Sequence, residues 1–300
     1  SFLGDWNNMG QRQTDSGTSH FEQVKIHESE LLLNPGPLST PYSSLRPLIA
    51  QLIFVHLFLG VAEGAYQTAI ETVQTQKAWS KSLAENAVND PFTQKHFAEF
   101  YVQLESVRLL ADKAIAALQT AWNIGEQLTA EQRGEVSIAI ATAKIAATNS
   151  SLFITQNIFQ VMGARATTAK LNLDRFWRNV RTQTLHDPID YKYQEVGEWV
   201  IEAALLQLEA WRAIGLDIPI SVNVGARQLQ QADFIERLRT RLAAHPSFHP
   251  GALEMEVLET SALEDLARVS QVIEACREIG IGFALDDFGT GYSSLTYLKR

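Results

Sequence analysis

The sequence has one cysteine in 300 residues, Cys276, so the chain cannot form an internal disulfide. A lone thiol fits a reducing compartment, and a cytoplasmic location is expected. Basic residues are in the minority, because 25 Lys and Arg stand against 34 Asp and Glu, a formal net charge of −9. This balance argues against a protein that binds a nucleic-acid polymer through bulk basicity, although local groups could still hold a small anion.

Proline and glycine are also sparse, at 9 and 17 residues, and 46% of the chain is hydrophobic, which predicts a globular protein. The longest apolar stretch, 48–62, contains Gln51 and His56 and is shorter than the roughly 20 residues of a membrane-spanning helix. It predicts a buried helix, and no membrane association is expected. The start SFLGDWNNMG has no basic segment or cleavage site, so no signal peptide is expected. Because residue 1 is not Met, the chain is expected to be a piece of something longer.

The first part of the chain changes from a β pattern to a helical one. Residues 1–42 are typical of the end of a β region, since FEQVKI is short, aromatic and β-branched. Apolar residues then recur every three or four positions over 48–73 and again over 97–121, which predicts two long amphipathic helices.

Capping signals place the remaining helix boundaries in this region. Asp90-Pro91 predicts the start of the second helix, and a capping box of Thr129 and Gln132 predicts a third that runs to about Met162. A fourth helix is expected at roughly 174–185. Long helices with short breaks predict an up-and-down four-helix bundle over 43–196.

After Gly197 the pattern alternates between helices and strands. Strands are predicted at 218–224, 253–258 and 281–286. Helices are predicted at 198–214 and 227–244, with another that is capped by Ser261 and Glu264. This alternation predicts parallel βαβ units, and residues 197–300 are expected to form part of a parallel α/β barrel of the TIM type.

Oxygen-bearing side chains follow the three predicted strands. Asn223, Glu259 and the pair Asp286-Asp287 would meet at the carboxyl edge of a parallel barrel, where active sites are built. They are hard ligands suited to Mg²⁺ or Mn²⁺. The alternative is that Asn223 and Glu259 cap loops and that Asp286 starts a turn, and spacing does not decide between the two.

Three segments of this second region, SVNVGARQLQQADF, LEMEVLETSAL and ALDDFGTGYSSLTYLKR, resemble the EAL domains, which are cyclic-di-GMP phosphodiesterases. The resemblance implies that Asn223, Glu259, Asp286 and Asp287 are metal ligands, and that the chemistry is two-metal hydrolysis of a phosphodiester. The Glu-Ala-Leu strand of the family and its later Lys, Glu and Gln signatures are not in this sequence. An incomplete site without full phosphodiesterase activity is therefore expected.

His245 and His249 in HPSFHP have a spacing that could suit a metal, but the prolines favour a loop.

The first region resembles the acyl-CoA dehydrogenase superfamily, in its flavin-dependent monooxygenase branch of sulfur acquisition and thiophene desulfurisation. DWNNMGQRQTDSGTSHFEQVKI, QVMGARATT and LDRFWRNVRTQTLHDP carry this resemblance, which covers about residues 1–196. It implies a flavin cofactor, FMN in preference to FAD. It also implies that the helical domain mediates assembly into a homo-oligomer.

The resemblance suggests a set of site residues. Where acyl-CoA dehydrogenases have a catalytic Glu-Gly-Thr, this chain has His186-Asp187-Pro188, which implies that His186 and Asp187 are the catalytic residues. A histidine beside a flavin can steer protons during oxygenation. The alternative for His186 is a helix cap.

The other expected flavin contacts are Arg165 on the phosphate, Lys77 and Trp79 in place of an Arg-Pro-Trp sequence, and Trp6 at the pocket, with a core tryptophan as its alternative. Arg175, Arg178 and Arg181 predict a basic helix face, part of which would be solvated salt bridges.

The two resemblances meet at Val196-Gly197. The chain is therefore interpreted as a fusion of a flavin-dependent oxidoreductase fragment with an incomplete EAL domain, neither with a complete active site. Two alternatives remain: a signalling protein that binds or hydrolyses cyclic-di-GMP, and a flavin monooxygenase subunit for a small organosulfur compound.

Overall fold

The structure is a computed structural model that describes residues 3–14, 16–31, 36, 38–258 and 266–286. The described residues are mostly helical and include one small parallel sheet. The chain divides into two compact units, Ser1–Tyr193 and Gln194–Arg300.

Four α-helices form most of the first unit: α1 at Leu45–Gln74, α2 at Pro91–Ile124, α3 at Ala130–Met162 and α4 at Arg175–Gln183. Helix α3 packs against each of the other three, and α1 also packs against α2 and α4. Short 3₁₀ turns lie at Ala87–Asn89, Gly125–Gln127 and Ala164–Thr167. The predicted helices therefore lie within a few residues of their expected positions.

The core of this unit follows the predicted apolar stripes. One face of α1 is buried from Leu45 to Val73, and the largest fully buried side chains of the unit include Phe58 and Phe100. The buried face of α3 is rich in Ala and Ser, which allows neighbouring helix backbones to approach closely. One buried residue on α3 is charged, Lys144.

Both predicted capping signals have the expected geometry. The carboxylate Oδ1 of Asp90 accepts hydrogen bonds from the backbone N–H of Phe92 and of Thr93, each at 3.0 Å. A hydrogen bond from Ser82 is the largest of the contacts that lower the pKa of Asp90. Thr129 and Gln132 hydrogen-bond reciprocally at 3.1 Å to each other's backbone N–H, the capping box that the sequence indicates.

The expected strand at FEQVKI is wrong for the described segment 21–31. That segment contains only a 3₁₀ turn at Glu28–Glu30, and Phe21, Val24 and Ile26 are exposed. The physical reason is that a strand requires a hydrogen-bonded neighbour, and the backbone of 21–31 pairs with none in the described part of the chain.

The second unit is built on three parallel strands in the order β1-β2-β3, namely β1 at Ile220–Asn223, β2 at Leu253–Leu258 and β3 at Gly282–Asp286. Ile220 is in register with Leu253, and Glu254 with Gly282. The helices are α5 at Asp190–Ala213, α6 at Ala226–Leu229, α7 at Phe234–Ala243 and α8 at Leu266–Glu278.

Two details differ from the sequence prediction in this unit. Helix α5 begins at Asp190 and not at residue 198, and the single helix expected at 227–244 is two helices separated at 230–233. The proposed cap residues Ser261 and Glu264 lie outside the described residues. The parallel βαβ order is confirmed, whereas closure into a TIM-type barrel stays a prediction, because the described residues contain three strands.

The core of the second unit lies between the sheet and its helices. It includes Leu205, Leu229, Leu253, Met255 and the thiol of Cys276. Burial raises the pKa of Cys276 to about 12, so the thiol stays protonated at neutral pH and is a poor nucleophile.

Helices α1 and α3 are long and apolar enough to cross a membrane by length and composition alone. Both also supply the core of the first unit. Core helices of water-soluble proteins have the same composition, so the two helices are weak support for a membrane span.

Substitution Thr129→Ala is expected to lower the free energy of unfolding by about 1 kcal/mol, because it removes the cap from the start of α3. Urea unfolding followed by circular dichroism measures the change. Thr142→Ala is the matched control on the same helix, because Thr142 hydrogen-bonds only within the helix, to the Ile138 carbonyl, and should change stability little. Equal losses for the two variants would contradict the capping role.

Candidate functional site

His186 and Asp187 lie in the turn that follows α4, and Asp187 contacts the neighbouring helices. Its Oδ2 lies 2.5 Å from Nζ of Lys144 on α3. The same Nζ donates to the side-chain oxygen of Gln51 on α1. The side chain of Lys144 is 3% exposed and that of Asp187 is 30% exposed, so the ion pair lies largely shielded from solvent, between the turn and the helices.

A phenylalanine ring connects the ion pair to the histidine. The ring of Phe54 on α1 lies 5.4 Å from the imidazole of His186, centroid to centroid, and 5.7 Å from Nζ of Lys144. His186 is exposed on the outer side. The imidazole therefore rests on an aromatic ring with the rest of its surface open, which suits a group that exchanges protons with a ligand.

The electrostatics keep Asp187 ionised. Burial acts to raise the pKa of Asp187, but the hydrogen bond and charge of Lys144, together with the charge of Lys192, outweigh it and hold that pKa below its ordinary value. Burial lowers the pKa of Lys144, and Asp187 opposes this shift. A carboxylate with a lowered pKa and an ammonium partner is a weak proton acceptor at neutral pH.

Lys77 and Trp79 follow the end of α1 at Gln74, and Arg165 lies in the turn after α3. The side chain of Gln76 donates to the Met162 carbonyl at 3.1 Å, which joins the loop after α1 to the turn after α3. All three predicted flavin contacts are exposed there, and Trp79 is 72% exposed.

The structure does not bring these two groups of predicted site residues together within one chain. His186 contacts Phe54, whereas Lys77 follows the end of α1 at Gln74. Residues 54 and 74 are 20 residues apart on the same helix, or about 30 Å at the rise of an α-helix. The two groups of predicted site residues are therefore separated along the length of α1 in one chain.

Trp6 belongs to an N-terminal segment that packs on α4. Its indole N–H donates to the Gln11 carbonyl at 2.7 Å, and the Gln11 backbone N–H donates to the side-chain oxygen of Asn179 at 2.9 Å. Arg178 donates to the Met9 carbonyl at 2.6 Å. The two motifs DWNNMGQ and RFWRN therefore contact each other.

A close approach explains the glycine in this segment. A Cβ atom at Gly10 would lie 2.0 Å from the carbonyl oxygen of Arg178, so no other residue fits without a shift of the backbone.

The basic face expected on α4 is partly used in contacts within the unit, because Arg178 pairs with Asp174 at 2.7 Å and Arg175 lies over the ring of Phe176.

In the second unit, the predicted metal ligands can be placed only in part. Asn223 ends β1 and is exposed, and Asp286 ends β3, in register with Leu258 near the end of β2. Glu259 and Asp287 lie outside the described residues. Parallel strands bring these carboxyl ends to one edge, which is where the sequence prediction requires them.

The histidines of HPSFHP lie in a loop, as predicted, and contact carboxylates. His245 is buried, and its ring nitrogens lie 3.1 Å from Glu202 and 3.1 Å from Glu209, while His249 lies 3.2 Å from Asp217. No group of three or more metal-binding side chains is arranged around an ion position in the part of the chain that the structure describes.

Sequence reasoning missed Gln51, Phe54 and Lys144. Gln51 was noted only as a polar interruption of an apolar stretch, and Phe54 resembles any core aromatic. A signal for Lys144 does exist, since it is a lone charge between alanine-rich turns of a helix. Such a residue is expected to be buried and paired.

Comparison with known families separates the chain into two regions. Residues 52–191 match the family model of the acyl-CoA dehydrogenase C-terminal domain, and residues 191–300 match that of the EAL domain. The chain joins a flavin monooxygenase-like region to an EAL region. Both regions are partial, as the relatives below indicate.

The flavin monooxygenase-like region has relatives at high identity. It is 54% identical over 202 residues to a probable FMNH₂-dependent monooxygenase, SfnC of Pseudomonas putida, a match that covers 67% of this chain and 51% of that protein. The solved structure of the methanesulfinate monooxygenase MsuC from Pseudomonas fluorescens is also 54% identical, with a TM-score of 0.65 over 68% of this chain and 53% of that one. The chain thus spans about half the length of these relatives.

The EAL region is 40% identical over 107 residues to MucR of Pseudomonas aeruginosa, a bifunctional diguanylate cyclase/cyclic di-GMP phosphodiesterase. That match covers 35% of this chain and 16% of MucR.

Substitution Asp187→Asn is expected to lower the free energy of unfolding at pH 7 by about 2 kcal/mol, because it leaves the buried ammonium of Lys144 without its counter-ion. This is less than for a fully buried pair, since Asp187 is partly exposed. Because the pKa of Asp187 is lowered on folding, this stabilisation is fully present above its unfolded-state value of 3.8 and is lost as the pH falls through the lower folded-state value.

Urea unfolding at pH 7 and in acid measures this dependence. The wild-type and Asp187→Asn proteins should converge in stability as the pH drops below 3.8. Asp112→Asn, at an exposed position on α2, is the matched control and should stay close to wild type throughout. A gap between wild type and Asp187→Asn that is independent of pH would contradict the ion pair.

Proposed function

We propose that the flavin monooxygenase-like region binds reduced FMN and acts in oxygenation of a small organosulfur compound, with His186 as the residue that exchanges protons with the flavin-bound reactants. Reduced FMN supplies the electrons that activate molecular oxygen. Support comes from the exposed imidazole on Phe54, together with the 54% identity to SfnC and MsuC. The observation that carries the proposal is the exposed imidazole of His186 against the ring of Phe54, beside an Asp187 that is held by Lys144.

The pairing of Asp187 supports oxygenation over dehydrogenation. Dehydrogenation requires a carboxylate that removes a proton from carbon. The carboxylate of Asp187 is held by Lys144, and its pKa is lowered, so it is a poor base for that step. His186 is the group of this pair that remains exposed to a ligand.

The flavin site would be completed by two copies of the chain. Arg165 and Lys77 are exposed and carry the charge that a flavin phosphate requires, but they lie about 30 Å along α1 from His186. We therefore expect a homo-oligomer in which one copy contributes Arg165, Lys77 and Trp79 and another contributes His186. Trp6 would act indirectly, through the segment that packs on α4.

The second region is proposed to bind cyclic-di-GMP in the presence of Mg²⁺ or Mn²⁺ through Asn223, Glu259, Asp286 and Asp287. Asn223 fits this role, because its amide oxygen is a hard ligand and its side chain is exposed at the carboxyl end of β1. Binding without efficient hydrolysis is expected, since the EAL signature strand is not part of this sequence. A cytoplasmic location fits both ligands and the single cysteine.

Flavin binding is tested by titrating the full chain with FMN under oxidised and anaerobically reduced conditions, with flavin fluorescence as the readout. Arg165→Gln and His186→Gln are each expected to weaken binding by about fivefold, the equivalent of one hydrogen bond. Arg46→Gln, at an exposed position at the start of α1, is the control and should leave the affinity unchanged. Absence of binding by the wild-type chain at saturating flavin would overturn the proposal.

The same two variants test the two-copy site. A mixture of Arg165→Gln with His186→Gln chains should contain some sites with both substitutions and some with neither. If part of the sites in the mixture bind FMN at wild-type affinity, this supports a flavin site that is shared between two copies, and sedimentation analysis should then show an oligomer. A wild-type chain that binds FMN as a monomer would contradict the two-copy site.

Cyclic-di-GMP binding is tested by calorimetric titration in the presence of Mn²⁺. Asn223→Ala is expected to weaken binding by about tenfold through loss of a metal ligand. Ser221→Ala is the matched control on the same strand, because Ser221 is exposed and hydrogen-bonds to Glu254. A wild-type chain that shows no heat of binding would remove this second function.

A further inference from the structure

Lys144 is an unusual residue for the interior of this unit. In the part of the chain that the structure describes, it is the only Lys, Arg, Asp or Glu that is buried. Removing an ammonium group from water is costly unless its charge and its hydrogen-bond donors are satisfied. The contacts of the Lys144 ammonium therefore indicate which parts of the fold its charge holds together.

Those contacts come from two different parts of the unit. Helix α1 provides the amide oxygen of Gln51 and the ring of Phe54, and the turn after α4 provides the carboxylate of Asp187. Gln51 and Phe54 belong to a helix that is fixed by its own buried face. Asp187 is the one of these three partners that lies in a turn and not on a helix. The ion pair therefore attaches this turn to α3.

The position of His186 depends on the same contacts. Its neighbour Asp187 is held at 2.5 Å from Lys144, and its ring lies 5.4 Å from the ring of Phe54, tilted by 48°, while Lys144 contacts the same Phe54 ring. Phe54 is therefore shared by the ammonium and the imidazole. Removing the ammonium would release the backbone of the turn and change the contact on which the imidazole rests.

We propose that Lys144 is the positioning residue of the candidate flavin site: it holds the turn at Asp187 and thereby keeps the imidazole of His186 on Phe54. The role in flavin binding rests on the function proposed above, whereas the placement of His186 does not. Lys144 itself is enclosed and does not reach a ligand. Asp187 then has a positioning role and is not a proton acceptor.

The first test uses the ligand-free full chain with isotope-labelled His and Phe. Ring centroids 5.4 Å apart should give a nuclear Overhauser contact between His186 and Phe54, assigned by its loss in His186→Gln. In Lys144→Met, which keeps an unbranched side chain one atom shorter and removes its charge, this signal is expected to fall to less than half of its wild-type intensity. An unchanged signal in a folded Lys144→Met protein would overturn the proposal.

Two further variants keep this test decisive. Asp187→Asn removes the more exposed partner of the same ion pair and should reduce the His186–Phe54 signal to the same extent. It replaces Lys144→Met in the test if that variant does not fold. Arg108→Met is the matched control, because it removes the ion pair between Arg108 on α2 and Glu63 on α1, away from the turn. A similar loss in Arg108→Met would mean general loosening of the helices and would also overturn the proposal.

A second test separates positioning from general structural support. In FMN titrations, Lys144→Met and His186→Gln should each weaken binding by about fivefold, and the double variant should be no weaker than His186→Gln alone, because residues that act through one another are not additive. Losses that multiply in the double variant would contradict action through His186.

The two proposals can fail separately. If the wild-type chain binds no flavin while the His186–Phe54 signal still depends on Lys144, the proposed function fails and the positioning of His186 stands. If flavin binds and the signal does not depend on Lys144, the positioning role fails alone.

Discussion

Close packing around α3 is the constraint on which the first unit depends. Helix α3 packs against α1, α2 and α4, and its Ala and Ser residues let those neighbours approach. Lys144 lies on the same buried face, where water cannot reach its charge. Its partner must therefore come from the protein, and Asp187 is that partner. In this way, packing of the helices determines where the turn with His186 lies.

The length and stiffness of the helices have a second consequence. The two sets of candidate flavin contacts meet α1 at Phe54 and just beyond its end at Gln74, about 30 Å apart along the helix. No side-chain rearrangement closes such a distance along a continuous helix. A shared site between copies is the arrangement that uses both sets, and it would make assembly a requirement for flavin binding.

The second unit follows a different rule. Parallel strands align their carboxyl ends, so the ends of β1 and β3, at Asn223 and Asp286, lie at one edge of the sheet. In the proposed arrangement, one buried ion pair would position the site of the flavin monooxygenase-like region, whereas sheet topology would position the candidate ligands of the EAL region.

The sequence by itself determined the helices, their caps at Asp90 and Thr129, the parallel strands and both family regions, because periodicity, capping and motifs are local properties of the chain. It also pointed to His186 and Arg165. Tertiary structure alone decided that Asp187 pairs with Lys144, that Trp6 packs on α4 through Gln11 and Asn179, and that FEQVKI is unpaired in the described residues. Each of these depends on residues far apart in the chain, and no local pattern encodes which of them meet.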